Sequence, residues 1–301
     1  MTRKKNKHST NKRGSSAPVT SKAGPARSAE RSAKYRQNNI QDSLRTHAAS
    51  PTAQPLVLSS KNSFFLFGRN SVEAALKNPK RECLHLYGTE KSLAELSPDT
   101  APHLRHKRVT VETHDSTQKI ASSVPEGSPH QGILLEVRPL PGLDIQDLVP
   151  AAKDKNIILM LDQVTDPHNV GACLRSAAAF GAKALITQDK NSPSENGVIA
   201  RAAAGALELM PWIKVANLSQ TLDTLKDFGY WHIGLDGNTN QSISGLTLGN
   251  NIVIVMGSEG KGLRPLVRKN CDIIAKIPMS GSVESLNVSN AAAIALYELT
   301  K

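Results

Sequence analysis

The run Ile252–Met256 constrains the fold of this chain more than any other feature. It is almost wholly β-branched and shows no polar alternation, so it reads as a strand buried on both faces. Strands of that kind belong to parallel sheets, and parallel neighbours need long crossovers, which helices supply. The surrounding sequence has them. Ile157–Asp162 reads as a strand and Val170–Phe180 as a Gly/Ala-rich helix, followed by strand Ala184–Thr187 and helix Gly197–Gly205. Strand Leu209–Val215, helix Leu218–Phe228, strand Trp231–Leu235, helix Leu263–Lys269, strand Ile273–Ile277 and helix Val288–Leu299 complete the alternation. The expected fold class is α/β with a mostly parallel sheet covered on both faces.

A smaller α/β unit precedes it. Strands are expected at Phe64–Phe67, Cys83–Tyr87, Val109–Glu112 and Ile133–Val137. Between them lie a helix over Asn70–Lys77 with Ser71 as its N-cap, a helical start at Ser92–Leu96, and a helix capped by Asp115. Pro139, Pro141, Gly142 and Pro150 mark a linker. The organisation read from this is a basic arm over 1–61, a small domain over 62–139, a linker over 140–153 and a large domain over 154–301.

Charge separates the arm from the rest. The chain carries 37 Lys and Arg against 26 Asp and Glu, a net +11, and residues 1–61 hold 13 of the basic residues but only Glu30 and Asp42 of the acids. The remainder is balanced at 24 of each sign. With few aliphatic residues, the arm cannot offset its ordering entropy and is expected to be disordered, as a solvated tail or as a polyelectrolyte that neutralises RNA phosphates. No apolar run approaches the ~20 residues of a membrane span, and no apolar segment of signal-peptide type follows the basic start. Cys83, Cys173 and Cys271 are far apart and lack metal or disulfide spacing, which fits a reducing, cytoplasmic setting with no metal.

In open parallel sheets, ligands bind where strands run into helices. Three such loops carry unusual residues. Asp166-Pro167-His168-Asn169-Val170-Gly171 is followed by Arg175, which sits in an apolar run where an unpaired guanidinium is costly, so it is expected to point into a cleft near Asn169. Gly257-Ser258-Glu259-Gly260-Lys261-Gly262 follows the buried strand and fits neither the dinucleotide fingerprint nor a P-loop. Ser285, Leu286, Asn287, Val288 and Ser289 alternate polar and apolar residues before an Ala-rich helix. One of the polar residues is explained as a helix cap, and the others exceed that need.

These three loops together resemble the SpoU (TrmH-type) family of RNA 2′-O-ribose methyltransferases of the SPOUT superfamily, with large-subunit rRNA guanosine enzymes as the nearest layout. Phe67-Gly68-Arg69-Asn70 and His130-Gln131-Gly132 extend the likeness to the small domain. The resemblance implies an L30e-like RNA substrate-binding domain followed by an α/β-knot catalytic domain, S-adenosylmethionine (SAM) as methyl donor, 23S rRNA as partner, and a homodimer with its sites at the subunit interface. It also implies Gly257, Ile277 and Leu286 as cofactor contacts and Asn169, Arg175, Glu259, Ser285 and Asn287 as the polar catalytic set. Glu284 and Asn290 depart from the residues usual in the family. The competing readings are the same chemistry on tRNA and a non-catalytic RNA-binding or ribosome-assembly protein.

If the arm binds RNA, its deletion weakens rRNA affinity and flattens the dependence of log affinity on log salt, with SAM binding intact. An unchanged salt slope returns the arm to a solvated tail.

Overall fold

Ten strands form two sheets in the computed structural model, which describes residues 54–151, 154–281 and 283–301. The expectation for the arm falls mostly outside those residues.

The large sheet has the order β10-β8-β9-β5-β6-β7 and is parallel throughout. Its strands are β5 (Asn156–Asp162), β6 (Ala184–Gln188), β7 (Trp212–Val215), β8 (Trp231–Leu235), β9 (Asn251–Gly257) and β10 (Ile273–Ala275). β5 and β9 lie at the centre in full register, from Asn156 opposite Asn251 to Asp162 opposite Gly257. All seven residues of β5 are buried, as are the five from Ile252 to Met256, so the two-faced burial read from the sequence holds. One face packs on Val170, Leu174, Ala292 and Leu296, and the other on Leu218, Leu222 and Leu225.

The small sheet has the order β1-β4-β2-β3. It comprises β1 (Phe64–Phe67), β2 (Cys83–Thr89), β3 (Thr110–His114) and β4 (Ile133–Val137), with β4 antiparallel to both its neighbours. Glu136, the fourth of the five residues of β4, has no solvent exposure. Its Oε1 accepts from Ser59 N at 2.7 Å, Ser59 Oγ at 2.9 Å and Ser63 Oγ at 2.5 Å, while Oε2 meets His85 Nδ1 at 3.0 Å. Burial alone raises this carboxyl's pKa, yet the hydrogen bonds hold it below the usual value. They also pin residues 59–63 to the sheet, so removing residues 1–53 tests the arm without breaking this contact.

Helix α1 (Arg69–Lys77) connects β1 to β2. It starts at Gly68 rather than Ser71, because Ser71 is buried and donates its hydroxyl to the Ala200 carbonyl at 2.9 Å. Helices α2 (Glu90–Ala94), α3 (Thr100–His106) and α4 (Gln118–Ser122) follow. Thr89 caps α2 in a reciprocal box with Ser92, which moves its start before the expected Ser92. Thr117, not Asp115, stands at the N-cap of α4. The large domain contributes α5 (Pro167–Ala179), α6 (Gly197–Ala203), α7 (Leu218–Asp227), α8 (Pro265–Lys269) and α9 (Val288–Thr300). The expected strand from Leu209 begins at Trp212, because Ala206–Glu208 forms a 3-10 turn first.

Arg81 holds the junction between the sheets. It is 1 % exposed, with Nη2 2.6 Å from Glu208 Oε1 and 2.5 Å from Glu195 Oε1, and Nη1 donating to the Arg138 carbonyl at 2.7 Å. Burial works against its charge, but the two carboxylates outweigh that and raise its pKa. Arg81→Ala leaves Glu208 buried without a cation, and we expect a loss of about 3–5 kcal/mol in urea unfolding. Arg81→Met combined with Glu208→Gln recovers much of that loss; an unchanged midpoint in Arg81→Ala contradicts the role.

Candidate functional site

Motif by motif, local chain geometry brings together the three loops that leave the C-terminal ends of β5, β9 and β10. After β5 the backbone turns through Gln163, whose φ of 58° lies in the left-handed region. Asp166 then caps α5 by accepting from His168 N at 2.9 Å, and Pro167 occupies the first helical position, where a missing N–H costs nothing. Asn169 is thereby fixed in the first turn.

The second loop closes on itself. Gly262 N donates to Ser258 O at 2.9 Å, and Gly260 and Gly262 have φ of 79° and 66°. Gly257 faces the Gly262 backbone so closely that a Cβ there would overlap it. The turn projects Glu259 outward. Arg264, just beyond the turn, anchors it to β5: its N and Nε donate to the two oxygens of Asp162 at 2.9 and 2.7 Å. Asp162 is fully buried.

The third loop leaves β10, hydrogen-bonds through Lys276 N to Gln241 O at 2.8 Å, and ends at Asn287, the N-cap of α9. Asn287 Oδ1 accepts from Ser289 N at 2.9 Å, while its Nδ2 donates to Asn169 Oδ1 at 2.9 Å and Glu259 Oε1 at 3.0 Å. Asn169 Nδ2 and Val288 N reach the same Glu259 oxygen at 3.2 and 3.3 Å. Asn169, Glu259 and Asn287, three of the polar residues named by the family resemblance, therefore form one cluster. Asn287 serves it and caps a helix at the same time.

Beside the cluster lies a cleft of about 660 Å3. Gly257, Glu259, Ile277, Ser285 and Leu286 all line it, and Leu235, Met256 and Leu263 extend its apolar wall. Its size and its mix of apolar wall with a few polar groups suit a ligand as large as SAM. The atypical Glu284 also lines it. Asp236 stands at its edge, ion-paired to Arg268 of α8.

Arg175 is the exception. It is exposed, not buried in a cleft, and makes no hydrogen bond or ion pair with the described residues. Six residues along a helix place it about 120° around and about 9 Å along the axis from Asn169, so the two do not share a face. Ser285 is exposed at the cleft, likewise without a side-chain hydrogen bond to described residues. Sequence reasoning missed Asp162, Arg264, Asp236 and Arg268. Asp162 was findable: a carboxylate ending a wholly apolar strand needs a cation. The cysteines offer no nucleophile here, since burial pushes the Cys173 and Cys271 thiols up to about 12 and Cys83 to about 11. Among the described residues, no group of three or more His, Cys, Asp or Glu is placed to hold a metal ion, and no helix is long and apolar enough to cross a membrane.

Comparison with known proteins agrees with this layout. Residues 156–297 match the SpoU rRNA Methylase family, and residues 65–142 match the RNA 2'-O ribose methyltransferase substrate binding family. The chain is 37 % identical over 241 residues to the 23S rRNA (guanosine-2'-O-)-methyltransferase RlmB of Vibrio parahaemolyticus, covering 79 % of this chain and 96 % of that protein. It is 36 % identical over 245 residues to RlmB of Xylella fastidiosa, covering 80 % and 98 %. Among solved structures, the SpoU methyltransferase AviRb of Streptomyces viridochromogenes, in complex with AdoMet, shares the fold at 23 % identity with a TM-score of 0.67, over 79 % of this chain and 89 % of that one. A putative RNA methyltransferase of the TrmH family from Porphyromonas gingivalis aligns with a TM-score of 0.62 at 28 % identity, over the same shares of each chain. With its two family segments in order and its three loops converging on one cleft, the chain belongs to the SpoU rRNA methylase family.

Proposed function

We propose that this protein methylates the ribose 2′-hydroxyl of a guanosine in 23S rRNA, using SAM, in the cytoplasm. The observation that carries the reading is the convergence of Asn169, Glu259 and Asn287 on the rim of a cleft lined by Gly257, Ile277 and Leu286. The RlmB relatives, covered over nearly their whole length, supply the substrate class. Bound in this cleft, SAM supplies an electrophilic methyl group.

The side chains then divide the work. Ile277, Leu286 and the Gly257 backbone, all lining the cleft, would hold the cofactor. Glu259 orients the amides of Asn169 and Asn287, which position the ribose and its phosphate; positioning is a large part of such catalysis. Ser285, at the cleft's open side, hydrogen-bonds RNA. Arg175 stabilises the developing alkoxide as the proton passes to water or an RNA phosphate. A guanidinium stays protonated, so its contribution is electrostatic.

Arg175 sits too far around α5 to meet the cluster of its own chain. We therefore assign it to the site of a second copy, in a homodimer that buries the exposed side of α9, where Ile294 and Tyr297 are 40 % and 55 % exposed. Tyr297 already packs edge-on against Phe180 at the end of α5, so a partner seated there would touch the helix that carries Arg175.

Arg175→Ala is expected to abolish methyl incorporation into undermodified 23S rRNA while SAM binding, followed by calorimetry, persists. Label in tRNA alone would overturn the substrate. Co-expression of Arg175→Ala with Glu259→Ala chains is expected to restore part of the activity, because a mixed dimer then contains one complete site. A monomer in sedimentation, or no recovery in the mixture, removes the shared site.

A further inference from the structure

A second cavity, of about 530 Å3, opens at the other edge of the large sheet. Edge strand β7 lies on one side of it and residues 139–143, leaving the small domain, on another. β7 is three strands from β9, so roughly 14 Å of sheet separates this cavity from the strand that carries the glycine turn. The methyl-transfer reading uses none of its residues.

Its polar and aromatic groups form a distinctive set. Trp212 is half-buried, and its indole N–H donates to Thr187 Oγ1 at 2.9 Å, which fixes the ring. Lys214 Nζ lies over one face of the ring, 4.7 Å from its centroid, and makes one long hydrogen bond, 3.4 Å, to the Pro193 carbonyl, so a base stacks on that face as the lysine swings off it. Burial lowers the pKa of this ammonium against the opposing pull of the Glu195 and Asp189 carboxylates, so moving it toward solvent or a phosphate relieves a desolvation cost. Lys80 is exposed on the same lining. Of the three carboxylates there, Glu195 and Glu208 are taken by Arg81. Asp189 is exposed, and its carboxylate makes no hydrogen bond or ion pair with the described residues.

Each group has a natural counterpart in an unpaired nucleotide. An indole stacks on a base of any kind, and lysines neutralise the backbone phosphate. A carboxylate only accepts hydrogen bonds. Guanine turns two adjacent N–H donors, at N1 and N2, toward its Watson–Crick edge, whereas adenine presents an acceptor in the middle of that edge. Single-stranded RNA is commonly read in this way, by stacking together with edge contacts. The location agrees, because the segment matching the substrate-binding family ends at residue 142, within the cavity's wall.

We infer that this cavity is a second RNA subsite that takes an unpaired guanine nucleotide of the substrate, stacked on Trp212, held at its Watson–Crick edge by Asp189, with Lys80 and Lys214 at its phosphate. The inference rests on RNA being the substrate, and the experiment separates the two.

The chain has two tryptophans, Trp212 and Trp231, so Trp231→Phe leaves Trp212 as the sole reporter. The full-length Trp231→Phe protein is titrated with a short single-stranded oligoadenylate, with the same oligonucleotide carrying one central guanosine, and with GMP. The guanosine oligonucleotide should quench Trp212 fluorescence and bind about tenfold tighter than oligoadenylate. Adding Asp189→Asn, an exposed change that spares the fold, should erase that preference and leave SAM binding unchanged. Equal quenching by both oligonucleotides, or a preference that survives Asp189→Asn, overturns the inference. GMP binding more tightly than the oligonucleotide overturns the assignment to RNA. Methyl incorporation measured on the same protein reports the reaction independently, so methylation retained without a guanine preference overturns the subsite alone.

Discussion

One carboxylate oxygen, Oε1 of Glu259, organises the site. It accepts from Asn169 at the start of α5, from Asn287 at the end of the third loop, and from the first backbone N–H of α9. Charge-assisted hydrogen bonds of this kind are the stronger ones, and here they tie the three loops together alongside the direct Asn287–Asn169 bond. Two further contacts keep the carboxylate in place. Close approach of the Gly257 and Gly262 backbones sets the turn, and the Asp162–Arg264 pair fastens the turn's exit to β5. A buried acid at the end of a central strand thus positions an exposed acid on the neighbouring strand's loop.

The same logic recurs on a larger scale at the sheet junction. Arg81 comes from the loop before β2, while Glu195 and Glu208 flank α6 in the large domain. A buried cation with two acids from the other side is satisfied in one relative placement of the two sheets and costly in others. It therefore acts as a register for the junction more than as a source of stability. The cavity beside β7 uses the same two carboxylates as part of its wall, so its shape depends on this pairing.

Much of this was legible in the sequence. Continuous apolar runs gave β5 and β9 because burial on both faces leaves no room for polar alternation, and β1, β4 and β8 begin and end where their patterns do. The three loops were legible because each lies where a strand hands over to a helix, and the family resemblance then singled out Asn169, Glu259 and Asn287 within them. What failed did so for local reasons. Ser71 reads as a cap, but a tertiary hydrogen bond to Ala200 claims its hydroxyl. Helix α3 carries Pro102 and three basic residues in seven, and left no apolar face to detect. Arg175 was placed by counting residues along the chain, and helical periodicity sends it to another side.

The register of β5 with β9 has a kinetic meaning. Asn156 pairs with Asn251 and Asp162 with Gly257, so the centre of the sheet joins segments separated by nearly a hundred residues. The Asn169–Asn287 bond spans 118. Contacts of such sequence separation close slowly and late, since chain entropy opposes them until the intervening strands exist. As the chain is synthesised, β5 and β6 emerge long before the partner that completes β5, and α9, with its N-cap Asn287, follows every strand of the sheet. The polar cluster is therefore assembled only when the whole domain is present, and a partly folded chain holds the first loop without the other two.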